Sequence, residues 1–234
     1  GRGSNTVSYG NPDLKPEESW SYELSTTLKL ADAANLTVGL FYTDFKNMLD
    51  QENIGKETID NKQFDATKEI NHGKVTAKGL EVLLNTASFH GFRFTGGYTY
   101  THAEIKEGAW SKRGGDWANS PSKRPNELPR HSLTARIDYE WNDFSAYVKS
   151  VSKFDSEQQN TKGGPNVDKY KNYTLVDLGA SYVFKKQHRF SVAVNNVFDT
   201  GLEWVPSVTA GSYANAYKEY IDGRNFWFSY AYSF

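Results

Sequence analysis

The chain has 234 residues, of which 38% are hydrophobic and 15% aromatic, and its formal net charge is −1. This charge balance excludes the clustered basic face that binding of nucleic-acid phosphates requires, and the absence of Cys excludes a disulfide framework and thiol chemistry. Mean hydropathy is −0.69, and no stretch reaches the roughly 18 to 20 consecutive apolar residues of a membrane-spanning helix.

Alternation of apolar and polar side chains predicts about nine β-strands, because successive side chains of a strand point to opposite faces. In chain order the predicted strands lie near residues 20–30, 36–43, 75–84, 92–101, 132–139, 144–149, 176–184, 190–195 and 225–234. Phe41 departs from the pattern, since it places an aromatic ring among the polar positions of the second strand. Most of these segments approach the roughly 9 to 11 residues with which a tilted strand crosses a bilayer.

The last strand has the clearest pattern of the chain. Aromatic residues occupy every second position up to the end, namely Phe226, Phe228, Tyr230, Tyr232 and Phe234. The alternate positions are mostly small or polar. One face is therefore a continuous aromatic row and the other suits contact with water, which is typical of a transmembrane β-strand.

The connections between the predicted strands alternate in length. Tight turns are expected at residues 31–35, 88–91, 141–143 and 185–188, and long polar segments at about 50–73, 103–129, 155–173 and 199–224. An outer-membrane barrel has short periplasmic turns and long extracellular loops, so we expect all four long segments outside the cell. The alternative is a soluble β-sandwich or jelly roll, in which strands also alternate.

Five short motifs resemble, in the same order, segments of the TonB-dependent outer-membrane receptors. They are N-P-D-L-K-P-E at 11–17, N-H-G-K-V-T-A-K-G-L-E at 71–81, L-P-R-H at 128–131, V-N-N-V-F-D at 194–199 and D-G-R at 222–224. Each motif is weak alone, but the ordered set spans nearly the whole chain. The aromatic last strand is also similar to the closing strand of Gram-negative outer-membrane proteins.

The resemblance implies an all-β fold, an antiparallel transmembrane β-barrel. Residues 1–234 would be its C-terminal segment, with about nine strands of a barrel of about 22 strands around a plug. The plug and the N-terminal strands would belong to the remainder of the receptor, because unpaired strand edges are not tolerated in lipid. Residues 1–10 resemble no signal peptide, and we expect the chain to start inside an extracellular loop, at a proteolytic clip or an unresolved gap.

The same resemblance implies import of a ferric siderophore across the outer membrane of a Gram-negative bacterium, as in the ferric enterobactin and catecholate receptors. The ferric chelate would be the transported ligand rather than a cofactor. Further partners would be TonB, reached through the missing N-terminal part, and outer-membrane lipid and lipopolysaccharide. A catecholate is expected rather than a hydroxamate, and a haem receptor of the same fold and a passive porin-like channel remain alternatives.

Two of the long segments contain the residue types that suit an anionic, aromatic iron chelate. Arg and Lys pair with its negative charge, and Trp and Tyr stack against its rings. The predicted ligand-binding residues are Trp110, Lys112, Arg113, Trp117, Arg124, Trp204, Tyr213, Tyr217 and Tyr220.

Other chemistry has weaker support. The five His residues lack metal-ligand spacing, and haem ligation by His72 or His102 is a minority hypothesis. No G-x-S-x-G, H-E-x-x-H or phosphate-binding Gly loop occurs, so no enzyme is predicted. Six charged residues at polar strand positions are predicted to pair across strands or to meet water in the barrel lumen: Glu23, Arg93, Arg136, Asp138, Lys149 and Asp177.

Overall fold

The computed structural model describes residues 6–107, 128–159, 167–201 and 221–234. These residues form strands and turns. The strands are β1 (Thr6–Tyr9), β2 (Glu18–Leu30), β3 (Ala34–Ile59), β4 (Lys62–Thr86), β5 (Phe92–Glu107), β6 (His131–Trp141), β7 (Phe144–Phe154), β8 (Glu157–Gln159), β9 (Val167–Lys169), β10 (Tyr173–Phe184), β11 (His188–Asn195) and β12 (Asn225–Tyr232). In this part of the chain no helix has the length and apolarity needed to cross a membrane. The predicted all-β class is confirmed.

Nine of the strands form one antiparallel sheet whose order follows the sequence. The order is β12-β11-β10-β7-β6-β5-β4-β3-β2. Each of these strands coincides with one of the nine predicted strands. Of the shorter strands, β1 pairs in parallel with β4, and β8 pairs with β9 in a separate ribbon. The sheet has β2 and β12 at its edges, so it is not closed within the described residues.

The prediction of a loop at residues 50–73 is wrong. There β3 and β4 continue as one long hairpin, joined by a turn in which Asp60 and Asn61 have positive φ angles of 48° and 63°. Two-residue hairpin turns of this kind match the right-handed twist of their strands. The segment lies beyond the region of apolar alternation, so no apolar period in its sequence identifies it as a strand.

The apolar faces of the nine strands join into one continuous surface. Leu40, for example, lies opposite Leu24 on one side and Leu80 on the other, and Leu178 lies between its partners on β7 and β11 in the same way. This surface is exposed: Phe228 at the β12 edge is 69% accessible. Among the described residues no second layer covers it, whereas a β-sandwich would bury such a face under another sheet.

The opposite face of the sheet is polar and carries the predicted inward charges. Arg136 donates hydrogen bonds from Nε to both carboxylate oxygens of Asp138 at 3.0 Å, and its guanidinium lies 4.4 Å from the centre of the Tyr147 ring. Asp177 accepts a hydrogen bond from the backbone of Asn196 at 2.8 Å. The ion pair of Arg136 is therefore formed along its own strand, with a residue two positions away, and its contact across to the neighbouring strand is with the Tyr147 ring.

Aromatic rings on the polar face cover glycines of the adjacent strand. Phe41 lies directly opposite Gly79, and Tyr147 directly opposite Gly179. A Cβ atom added to either glycine would collide with the facing ring. The departure of Phe41 from the alternating pattern is thus explained, because its ring occupies the space that the missing side chain of Gly79 leaves on the sheet.

We expect Gly179→Ala, made in the full-length protein, to destabilise the barrel by about 1 to 3 kcal/mol, because the new methyl group overlaps the Tyr147 ring. Replacing Tyr147 with Ser in the same variant should recover most of this loss, since a flexible side chain causes the overlap. Denaturant unfolding in detergent micelles measures both effects. Equal stability of Gly179→Ala and the unmodified protein would contradict the packing described.

Placing an Arg on the apolar face should impair membrane insertion more than placing one on the polar face of the same strand. Ile137 faces the apolar side and is 45% accessible, whereas Thr134 faces the polar side. We expect Ile137→Arg to cost about 2 to 4 kcal/mol of folding free energy in lipid vesicles, and Thr134→Arg to cost much less. A larger cost for Thr134→Arg than for Ile137→Arg would show that the apolar face does not contact lipid.

Candidate functional site: the outer rim

The predicted ligand-binding residues belong to the long segments that leave the sheet opposite the short turns. We call this edge of the sheet the outer rim. Trp110, Lys112, Arg113, Trp117, Arg124, Trp204, Tyr213, Tyr217 and Tyr220 all lie outside the described residues, so their role stays a prediction. The structure does describe the junctions from which these segments leave the rim, and hydrogen bonds between distant residues hold each junction.

The first junction joins the motif at residues 11–17 to the motif at 71–81. The side chain of Asn71 accepts a hydrogen bond from the backbone N of Lys15 at 2.5 Å and donates to its carbonyl oxygen at 2.9 Å. Asn71 also donates to the carbonyl oxygen of Asn47 at 2.9 Å, and Glu17 accepts from the backbone N of Leu49 at 3.0 Å. Two segments that resembled receptor motifs separately therefore form one structural unit.

Above this junction β1 lies against the long hairpin. Its residues pair in parallel with Asp65 to Lys68 of β4. The phenol of Tyr9 donates a hydrogen bond to the carboxylate of Glu57 on β3, and this bond raises the pKa of Tyr9. Two sets of contacts therefore hold the hairpin to the N-terminal residues: the pairing of β1 with β4 and the hydrogen bonds of the first junction.

The second junction lies where β5, β6, β7 and β10 reach the rim. The carbonyl oxygen of Arg130 accepts from the backbone N of Thr101 at 2.9 Å, and the backbone N of Arg130 donates to the carbonyl oxygen of Asp155 at 3.0 Å. The Arg130 guanidinium lies 3.8 Å from the Asp155 carboxylate, and the backbone N of Asp155 donates to Asn172 at 3.0 Å. These contacts fix the start of β6 and flank the segments 108–127 and 160–166.

The third junction holds the two ends of the segment 202–220. Asn196 is 5% accessible, and its side-chain amide donates to the carbonyl oxygens of Thr200 at 3.0 Å and Asp222 at 2.9 Å. Its side-chain oxygen accepts from the backbone N of Thr200 at 2.9 Å. Asp199 accepts from the backbone N of Arg224 at 2.9 Å, which connects the motif at 194–199 to the motif at 222–224.

Sequence analysis missed the Asn residues that build these junctions. Asn47 and Asn196 have positive φ angles of 54° and 50°, and so do Asp155 and Asp199 at 59° and 52°. Asn and Asp adopt this conformation more readily than other residues with side chains. The pair Asn195-Asn196 at the end of an apolar strand could have indicated a residue with a positive φ angle. Its sequence position does not reveal the hydrogen-bond partners, because these lie further along the chain.

The described His residues do not converge on a metal site. No group of three or more potential metal ligands occurs among the residues whose positions are described. His102 lies on the apolar face, 3.8 Å from Glu104, and so is directed away from the lumen side of the sheet. His131 and His188 each hydrogen-bond a Tyr hydroxyl at 2.6 Å. The side chain of His72, the other candidate haem ligand, is not described.

A recess on the polar face lies nearer to the short turns than to the rim. Its volume is about 260 Å³, and its lining residues include Arg136, Tyr147, Ser181, Ser191 and Trp227. The two serine hydroxyls are hydrogen-bonded to each other at 2.7 Å. Because it is on the lumen side, the recess faces whatever fills the interior of the closed barrel.

Comparison with known proteins decides the family. A sequence model described as "TonB dependent receptor-like, beta-barrel" matches residues 1–197. The chain belongs to the TonB-dependent receptor family. Its antiparallel sheet is therefore part of a transmembrane β-barrel, and the predicted fold class is confirmed.

The chain is similar in sequence to an iron-regulated outer-membrane protein and to siderophore receptors. The iron-regulated outer membrane virulence protein of Vibrio cholerae is 27% identical over 94% of this chain and 31% of its own length. The catecholate siderophore receptor Fiu of Escherichia coli K12 is 24% identical over 86% of this chain and 24% of its own. This TonB-dependent receptor chain thus spans 24% to 31% of the length of these relatives.

Solved structures show the same fold. A variant of the ferric enterobactin receptor PfeA of Pseudomonas aeruginosa, in complex with enterobactin, matches with a TM-score of 0.71 at 21% identity, over 98% of this chain and 33% of PfeA. The siderophore receptor PirA of Acinetobacter baumannii matches with a TM-score of 0.70 at 20% identity, over 97% of this chain and 33% of PirA. The chain is located in the outer membrane of a Gram-negative bacterium, and its family is one of receptors rather than enzymes.

We expect Asn71→Ala in the full-length receptor to loosen the first junction, because the variant loses the acceptor for the backbone N–H of Lys15 and the N–H donors to the carbonyl oxygens of Lys15 and Asn47. Hydrogen exchange, followed by mass spectrometry, should become about tenfold faster at the backbone amide of Lys15, which no longer has an acceptor. Asn85→Ala near the short-turn end of the same strand is the matched control. Unchanged exchange at Lys15 would disprove the assigned role of Asn71.

Proposed function

We propose that the complete protein is an outer-membrane receptor that binds a ferric siderophore, of catecholate type, and imports it with energy supplied through TonB. Family membership carries the proposal, because the family description names TonB dependence. Relatives whose names include a catecholate receptor support the ligand class. We propose that the chain catalyses no reaction and that the ferric chelate is cargo.

The proposed role of this chain is to form part of the barrel wall and of the outer ligand-binding surface. Residues 1–234 would be the C-terminal segment of the receptor, and the plug and the N-terminal strands would complete it. The open edges at β2 and β12 support this arrangement, because each exposes backbone groups that need a partner in lipid. Outer-membrane lipid and lipopolysaccharide would contact the apolar face.

The ligand chemistry favours the segments at the outer rim. A ferric catecholate is an anion with aromatic rings, so Arg and Lys beside Trp and Tyr provide both charge pairing and stacking. Segments 110–124 and 204–224 contain that combination and leave the sheet at the second and third junctions. Such a site would bind ferric catecholates more tightly than ferric hydroxamates, which lack the aromatic rings.

Binding measurements on the full-length receptor test the proposal. We expect ferric enterobactin to bind more tightly than a ferric hydroxamate or hemin, and Arg113→Gln to weaken that binding roughly tenfold through loss of a charged partner. Arg189→Gln, near a short turn, removes the same charge from the opposite end of the sheet and should leave the affinity unchanged. Uptake of the iron complex should stop in cells that lack TonB.

Binding of hemin alone would replace the siderophore proposal with a haem receptor. Binding of a ferric hydroxamate in preference to ferric enterobactin would keep the receptor but reject the catecholate class. Ion conductance without binding of any of the three ligands would favour a passive channel.

A further inference from the structure

We propose that Lys78, with Tyr42 and His102 on either side of it, binds a phosphate group of lipopolysaccharide at the outer boundary of the apolar face. We call these three residues the boundary row. The inference rests on one part of the proposed function, namely the contact of lipopolysaccharide with the apolar face. It is independent of the cargo, because it concerns the lipid that surrounds the barrel.

The boundary row lies at the level where the apolar face ends. Tyr42 is directly opposite Lys78, and Lys78 is directly opposite His102, so the three side chains lie on one face of adjacent strands. The next row of this face, two residues nearer the short turns, is apolar or aromatic: Leu40, Leu80 and Tyr100. Because the long segments leave the sheet at the other end, the boundary row lies at the head groups of the outer leaflet.

The charge of Lys78 is not compensated by the described part of the chain. Lys78 is exposed, and it forms no ion pair and no hydrogen bond with the residues that the structure describes. The carboxylates further out on this face are those of Glu18, Asp44 and Glu104.

These three carboxylates have basic neighbours of their own. Asp44 pairs with Lys46 at 3.7 Å, and Glu104 pairs with Lys106 at 3.1 Å. Glu18 lies directly opposite Lys46. At the boundary row itself the charge is therefore positive, which is complementary to a phosphate group of the lipid head-group layer.

The neighbours of Lys78 provide further hydrogen-bond donors for the same anion. Residues directly opposite each other on adjacent strands have Cβ atoms roughly 4.5 to 5.5 Å apart. The Tyr42 hydroxyl forms no hydrogen bond with the described residues, and Nε2 of His102 is 3.8 Å from Glu104, too far for one. A phosphate has several acceptor oxygens, so the ammonium, the phenol and the imidazole suit a single phosphate group.

The apolar residues below the boundary row favour a lipid over a free anion. Leu40, in the next row, is 55% accessible, and the acyl chains of a bound lipid would cover it. Free phosphate would gain only an exposed ion pair, which contributes little in water. The boundary row and the apolar face together therefore match a molecule that carries phosphate at one end and acyl chains at the other.

Binding of lipid A, the lipid part of lipopolysaccharide, to the full-length receptor in detergent micelles tests the inference. We expect Lys78→Gln to bind lipid A roughly tenfold more weakly, because a charged hydrogen bond to phosphate is lost. Lipid A from which the phosphate groups have been removed should bind this variant and the unmodified receptor equally. Native mass spectrometry measures both affinities.

Two further variants separate the phosphate contact from other effects. Lys78→Arg keeps the positive charge and should bind lipid A within about threefold of the unmodified receptor. Lys29→Gln is the matched control, because Lys29 lies on the polar face near a short turn, 3.9 Å from Asp32. This control should bind lipid A normally. Inorganic phosphate in large excess should not displace bound lipid A.

The outcomes are distinct. Equal binding of lipid A by Lys78→Gln and the unmodified receptor would overturn the inference. An equal loss for lipid A and its dephosphorylated form would assign Lys78 to lipid packing and also overturn it, and displacement by inorganic phosphate would show that the site does not select a lipid. In each of these cases binding of ferric enterobactin would leave the proposed import function standing, whereas its absence would reject that function alone.

Discussion

Pairing of backbone hydrogen-bonding groups inside a lipid layer is the constraint on which this structure depends. Lipid offers neither donors nor acceptors, so a chain that crosses it as strands must satisfy every N–H and C=O from neighbouring strands. Between its two edge strands, β2 and β12, the sheet does so with its strands in chain order. Successive side chains of a strand point to opposite faces, so the sequence alternates: apolar residues lie on one face of the sheet and polar residues on the other.

The same constraint explains where structure other than the ladder is found. Within the sheet, the rings of Phe41 and Tyr147 lie over Gly79 and Gly179 on the polar face. The backbone pairing of the strands continues through these positions. At the outer rim, where water is available again, side chains such as Asn71 and Asn196 take over the pairing of backbone groups. The receptor thus changes from ladder bonds to side-chain bonds at the level where its long segments begin.

Alternation was sufficient to predict all nine strands of the sheet, because each has one apolar and one polar face. It failed at residues 50–73, where the hairpin has no apolar period. The junctions could not be predicted either, since Lys15 and Asn71 are 56 residues apart and Asn196 and Asp222 are 26 apart. The ordered motifs were recognisable as family features, but only coordinates reveal that they bind one another. The predicted ligand-binding residues lie outside the described part of the chain, and their prediction depends on residue chemistry alone.

The length of the hairpin formed by β3 and β4 has a practical consequence. β3 contains 26 residues, more than twice the roughly 9 to 11 that cross a bilayer, and its tip is the two-residue turn at Asp60 and Asn61. An epitope inserted at this turn would stand well clear of the lipid surface on a stiff support. Antibodies to that epitope could then count receptor molecules on intact cells.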